Sequence, residues 1–263
     1  MGDLALVARQ TYYGLKTTRR NPRALVFSIM FPIVFLLLFN SIFASGSQAK
    51  PVDVGGITLD LHTYFTAGLM AYAIMLNCFS TLVISLTAQR ESGQLKRYRG
   101  TPVPSWTFIA SLVLRSMVLV ALMMAILLAL GAILYGVNIH GTAIIGLVVN
   151  AALGSATLCA LGIAVSTFAP NADAAAAIGP FPAVILSFIS SVFIPIDTLP
   201  TWLQDVGRVF PLFHLAEGLQ ISFGVSSGTG LTADNVAVLA LWAVGSAVVA
   251  ARSFKWEPQT AGG

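Results

Sequence analysis

The side chains with the widest chemical repertoire in this chain are three histidines, two cysteines and one histidine–glutamate pair. Their spacing points away from catalysis. An intramembrane enzyme needs a nucleophile with its base, or a metal cluster, held at one depth. Here His62, His140 and His214 fall in or beside polar loops, no HxxxH occurs, and no acidic residue lies deep in an apolar run. His214 and Glu217 stand at i and i+3 and so share a helix face. Two ligands are too few for a metal site, and a local hydrogen bond or ion pair is the expectation for them. Cys78 and Cys159 lie singly in apolar runs with no disulfide or metal spacing, and are expected as small packing residues. A GxxxxGK[ST] phosphate loop is absent as well. The expectation is no catalytic residue, no metal and no cofactor on this chain.

The charged residues are few and clustered. Of 263 residues 57% are hydrophobic and 9% charged, against roughly 45–50% and about 25% in a soluble domain. Yet QRESGQLKRYRGTPVPSW, residues 89–106, carries Arg90, Glu91, Lys96, Arg97 and Arg99 between two long apolar runs. It reads as a short charged helix continuing the run before it, ended by Gly100, Pro102 and Pro104. It either holds topology as a basic loop or serves as a rigid element that transmits force.

The elements that position these residues are six apolar runs, each long enough to cross a bilayer as a helix of about 20 residues. Their spans are Ala24 to Ala44, Tyr64 to Ala88, Phe108 to Tyr135, Thr142 to Ala169, Ala174 to Ile194 and Ala233 to Ala251. The runs are continuous rather than alternating, so an all-α membrane protein of six transmembrane helices is expected, not a barrel. Six spans put both termini on one side. That side carries eleven of the fourteen Lys and Arg, while the other has Lys50, Arg208 and six of the ten acidic residues. The basic side is expected to be cytoplasmic, with the protein in the inner (plasma) membrane. The first run exceeds the 7 to 15 apolar residues of a signal peptide and is expected to be retained. Arg115 falls inside the third run, near the cytoplasmic boundary, where a long side chain can snorkel. With no mid-membrane Asp or Glu to couple an ion gradient, energy for transport would come from another polypeptide.

Shorter patterns fill in the layout. Residues 3–20 place Leu4, Ala8, Tyr12 and Leu15 on one face and most basic residues off it, as in an interfacial amphipathic helix. Phe27, Phe31, Phe35, Phe39 and Phe43 recur every fourth residue, forming either lipid-facing or helix-packing bulk, or an aromatic wall along a path for a flat apolar molecule. Ala152, Ala156, Ala160 and Ala164, with Gly154 and Gly162, suit close helix packing. Asn171 or Asp173 can cap the fifth helix, which Pro180 and Pro182 then interrupt. Residues 194–224 are too polar for a span and too apolar for a free loop, and read as two short helices dipping into the outer leaflet.

Taken in order, the amphipathic arm, first span, outer loop, second span and charged segment resemble the membrane subunits of type 2 ABC exporters, the ABC-2 permeases. The likeness rests on Glu91, Gly93, Leu95, Thr101, Pro102 and Val103, and on IlePro at 194–195, LeuPro at 199–200 and ProLeu at 211–212. Gln94 departs from the threonine common after the glycine. The resemblance implies one transmembrane domain over residues 1–263, similar to bacterial drug and antibiotic efflux permeases. Within it, residues 89–105 would be a coupling helix seated in a separate ATPase subunit, through Arg90, Glu91, Gly93, Leu95, Lys96, Arg97, Arg99, Thr101 and Pro102. Residues 3–20 would be the connecting helix. ATP and magnesium would bind two copies of that ATPase, and a second permease subunit, identical or paralogous, would face this one among membrane lipids. By the same analogy Phe27, Phe31, Phe35, Phe39, Asn77, Phe181 and Phe188 would border the substrate path, and Trp202, Phe210, His214 and Glu217 the outer gate. The substrate implied is a hydrophobic or amphipathic drug, with an envelope lipid or glycan carrier as the alternative. A scaffold or sensor that binds an ATPase without transport, and a channel, are the other readings; no nucleic-acid partner is implied.

Overall fold

The computed structural model describes residues 2–20, 22–44, 50–254 and 256, without the side chains of 22–28 and 44. The chain is nearly all helical. It opens with α1 (Asp3–Arg19) and α2 (Pro22–Phe39), which continues as a π-helical turn over Asn40–Ala44. A hairpin of β1 (Val52–Val54) and β2 (Ile57–Leu59) follows. Its turn uses Gly55 and Gly56, both at positive φ (59° and 80°), as a tight antiparallel turn requires.

The centre of the molecule is one long rod: α3 (Leu61–Ile74), a π segment over Met75–Ser80, and α4 (Thr81–Glu91). Every residue of α3 from Thr63 onward is buried. Beyond Gly93 come α5 (Gln94–Arg99), α6 (Ser105–Tyr135) and α7 (Ala143–Ser166). The fifth apolar run is split at Gly179 into α8 (Ala172–Ile178) and α9 (Pro180–Ile189), because Pro180 and Pro182 lack the amide hydrogens that would continue the ladder. Then come α10 (Thr201–Val209), α11 (Pro211–Gly224) and α12 (Ala233–Ser253).

Among the described residues five stretches are long and apolar enough to cross a membrane: Leu61–Glu91, Ser105–Tyr135, Ala143–Ser166, Ala172–Ile189 and Ala233–Ser253. The first run of the sequence corresponds to α2, of which Ile29–Phe43 forms a shorter apolar helix; its earlier residues, Phe27 among them, lie outside the described side chains.

Helices α11 and α12 pack on α7, α11 also packs on α3, and α1 lies on α6. Gly162 lets α7 approach the rod: a Cβ there would meet the carbonyl oxygens of Phe79 and Cys78 at 2.9 and 3.0 Å. Both cysteines are buried and free in this packing, as their sequence context predicts.

Three expectations are reshaped. The charged helix does not continue the second span: Gly93, at φ 70°, separates α4 from α5. The short helices expected over 194–224 are present, but α11 is buried along nearly its whole length, with Gln220 Nε2 donating to Ser191 O at 2.8 Å. On α1, Val7 and Thr11 are buried against the protein, whereas the apolar face with Leu4, Ala8 and Tyr12 is exposed.

The phenylalanine row of α2 is a packing seam. Phe31 stacks on Phe35 at 4.5 Å between ring centroids, and Phe39 lies parallel to the buried Phe193 at 5.2 Å. Phe39 also contacts Phe65 at 5.3 Å. Phe39→Ala is therefore expected to cost roughly 1–3 kcal/mol, below the 3–5 kcal/mol typical of a fully buried phenylalanine. Phe43, 53% exposed, should lose much less. The thermal midpoint of the detergent-solubilised protein checks both; equal midpoints would remove the seam.

Candidate functional site

The charged segment is tied into the molecule at the end of α4. Arg90 is 3% exposed, and its guanidinium donates to the backbone oxygens of Ser166, at 3.0 Å, and Ala169. The Ser166 carbonyl ends α7, where unpaired acceptors and the negative end of the helix dipole favour a cation, and that of Ala169 lies in the turn just beyond. The next residue does the converse. Glu91 Oε2 accepts the amide of Ala172 at 2.7 Å, the first residue of α8, where an anion is favoured. Asn171 completes that N-terminus by accepting from the Ala174 amide at 2.8 Å, as its position in the sequence predicts. Consecutive residues of α4 thus grip both sides of the turn between α7 and α8.

Past Gly93 the chain presents a two-sided helix. Leu95 is 1% exposed, and Tyr98 accepts a hydrogen bond from Gln10 Nε2 of α1 at 2.6 Å. Lys96, Arg97 and Arg99 are exposed. The helix closes where the Thr101 hydroxyl donates to Tyr98 O at 2.7 Å, and Pro102 lies exposed beyond it. The residues named for coupling therefore divide: Lys96, Arg97 and Arg99 face outward, Leu95 anchors, Arg90 and Glu91 reach α7 and α8, and Gly93 supplies the corner.

The residues named for a substrate path gather in part. Phe35 and Phe39 of α2 meet Phe193, Phe31 stacks on Phe35, and Phe188 of α9 contacts Phe193 edge-on at 5.2 Å. Phe181 stands apart, 67% exposed. Asn77 is buried in the π segment, its amide donating to Ala73 O at 2.9 Å. Three residues on, Ser80 Oγ donates to Gly179 O at 2.9 Å, at the break between α8 and α9. Irregular turns of this kind recur at functional positions in helices.

At the other end, His214 does not pair with Glu217. Its ring nitrogens meet Asn235 Oδ1 of α12 and Arg208 O of α10, each at 2.8 Å. The histidine so braces three helices, and its pairing with Glu217 on one helix face misleads because its partners lie on the helices before and after its own. Phe210 stacks near Trp242 at 6.4 Å, and the Trp242 indole donates to Val209 O at 2.9 Å. Trp202 is exposed, away from this group, and Glu217 lies beside Gly55 of the hairpin.

Sequence reasoning missed the grip of Arg90 and Glu91 on the turn 166–172 and the bracing role of His214. A signal for the first was available in ProAsnAlaAsp at 170–173, a helix start facing a chain of the same polarity. No curated protein matches the chain. A family profile described as ABC-2 type transporter matches residues 6–223, from within α1 to the last turn of α11.

Proposed function

Because the chain belongs to the ABC-2 type transporter family, the multi-pass membrane permeases of ABC transporters, we propose that it exports a hydrophobic or amphipathic substrate under the drive of a separate ATP-binding subunit docked on α5. In this reading α2 completes a set of six spans, both termini face the cytoplasm, and α1 lies along the inner leaflet with Leu4, Ala8 and Tyr12 toward lipid. Two ATP-binding subunits serve a pair of permeases, and ATP and magnesium bind those subunits.

One observation carries the proposal: α5 offers three exposed cations while the residues just before it hold α7 and α8. A push on α5 passes through Gly93 to the end of α4. Arg90 and Glu91 deliver it to the turn 166–172, and so to α8 and α9, where Phe181, Ile185 and Phe188 present an exposed apolar face. That face supports a substrate from the apolar end of the range.

Vesicles containing the permease and its ATP-binding subunit should move a hydrophobic dye only when ATP is hydrolysed. An intact complex without flux would assign a scaffold, and ion current without ATP a channel. Gly93→Val places a β-branched residue in the left-handed region, at roughly 1–2 kcal/mol. It is expected to lower dye flux several-fold while leaving the helix content measured by circular dichroism unchanged. Full flux in that variant would remove the corner from the pathway.

A further inference from the structure

Where α1 lies on α6, the two helices and α5 enclose a cavity of about 420 Å3. Two guanidinium groups line it, Arg9 of α1 and Arg115 of α6, and among the described residues no carboxylate does. Arg115 was the one basic residue inside an apolar run, and its position is explained by this cavity. Its stem lies over Gly14, where a Cβ would come within 3.0 Å of Arg115 Cδ. Arg9 sits over the ring of Tyr13, its Cζ 5.8 Å from the centroid. Leu6, Phe108 and Leu112 give the same cavity apolar walls. The outward face of α1 beside it carries exposed Leu4, Tyr12 and Tyr13.

We infer that this cavity binds the phosphate headgroup of an acidic membrane lipid from the leaflet on which α1 rests. Two cations with no carboxylate among the described lining residues, at the level where an interfacial helix meets a spanning helix, are the arrangement that takes an anionic headgroup. Guanidinium matches phosphate oxygens with forked donors, and the apolar walls take the first carbons of the acyl chains. A lipid seated there would bridge α1 and α6 beside Tyr98, which links α1 to α5, so leaflet composition would bear on the element proposed for coupling. The inference rests on α1 lying at the leaflet surface, and not on the coupling to ATP.

Native mass spectrometry of the full chain, titrated with phosphatidylglycerol and with phosphatidylcholine of the same acyl chains, tests it. Phosphatidylglycerol should bind in a one-to-one complex roughly tenfold or more tighter, as expected when a charge-assisted contact is at stake. Arg115→Gln should remove that preference, and so should Gly14→Leu, which fills the cavity without changing charge. Arg208→Gln, at the far end of the molecule, should keep it. Equal binding of the two lipids, or a preference that survives both cavity variants, overturns the inference. Inorganic phosphate that protects the protein thermally as well as the lipid does, through Arg115, would overturn it too, by making a soluble anion the ligand. Quenching of Trp106, 49% exposed at the start of α6, by brominated lipids separates the two readings. Quenching without headgroup preference rejects the cavity site and keeps α1 at the leaflet, whereas no quenching rejects both.

Discussion

Arg90→Gln is expected to abolish coupled transport while ATP hydrolysis by the partner continues. The guanidinium satisfies the last carbonyl of α7 and that of Ala169 in the turn beyond it, and each hydrogen bond to a charged group contributes about 1.5–3 kcal/mol. Glutamine reaches at most one of them and carries no charge to oppose the helix dipole. A buried carbonyl left without its donor costs about 1–3 kcal/mol, enough to loosen the turn 166–172 from α4. Hydrogen exchange should then rise over the last turn of α7 and the first of α8, with α3 still protected. Arg90→Lys keeps the charge but not the forked geometry, and should retain an intermediate rate. Wild-type flux in the glutamine variant, with unchanged exchange at residues 166–175, would show that this contact carries no force.

Reversal of the outer face of α5 is the second large effect. Arg97 and Arg99 are exposed and hold no part of the fold, so Arg97→Glu with Arg99→Glu should leave the thermal midpoint of the isolated permease within about a degree, as for surface changes generally. Binding of the ATP-binding subunit should fall at least tenfold, because like charges brought together across an interface cost several kcal/mol. Co-purification and ATPase stimulation read the loss. Higher salt should weaken wild-type association as well, since exposed charges are screened over about 8 Å at physiological ionic strength. Undiminished stimulation in the double variant would place the docking surface elsewhere.

Much of this arrangement is legible in the order of residues, and the remainder is hidden for physical reasons. Among the described residues five of the six apolar runs return as helices long enough to span, and Asn171, Pro180 and Pro182 cap or break the chain as their chemistry requires, whereas Gly93 separates α4 from α5 where the sequence predicts a continuous helix. Periodicity on α1 finds an apolar face but not which side meets the protein, because lipid is as apolar as a core. The protein side is the small one, with Val7, Thr11 and Gly14. Helix α11 is disguised by Gln220 and Ser222, which lower its apparent hydrophobicity although Gln220 Nε2 and Ser222 Oγ donate to Ser191 O and Gly218 O. Arg90 reads as one more cation of a surface cluster, since the carbonyls it serves are 76 and 79 residues away. The phenylalanine row reads first as lipid-facing or packing bulk and second as the wall of a path. Its contacts with Phe193 and Phe65 place Phe39 in the seam, and the exposed rings on α9 are Phe181 and Phe188.

The most direct test of the coupling account places a photo-crosslinking phenylalanine analogue at Lys96, on the exposed face of α5, in the full-length permease expressed with its ATP-binding subunit. Illumination should give a covalent adduct between the two polypeptides from position 96, and none from the same probe at Asn138, an exposed loop position beyond the far end of α6. An assembled, ATP-hydrolysing complex that forms no adduct at 96, or forms one at 138 instead, would contradict the assignment of α5 as the surface through which ATP drives this protein.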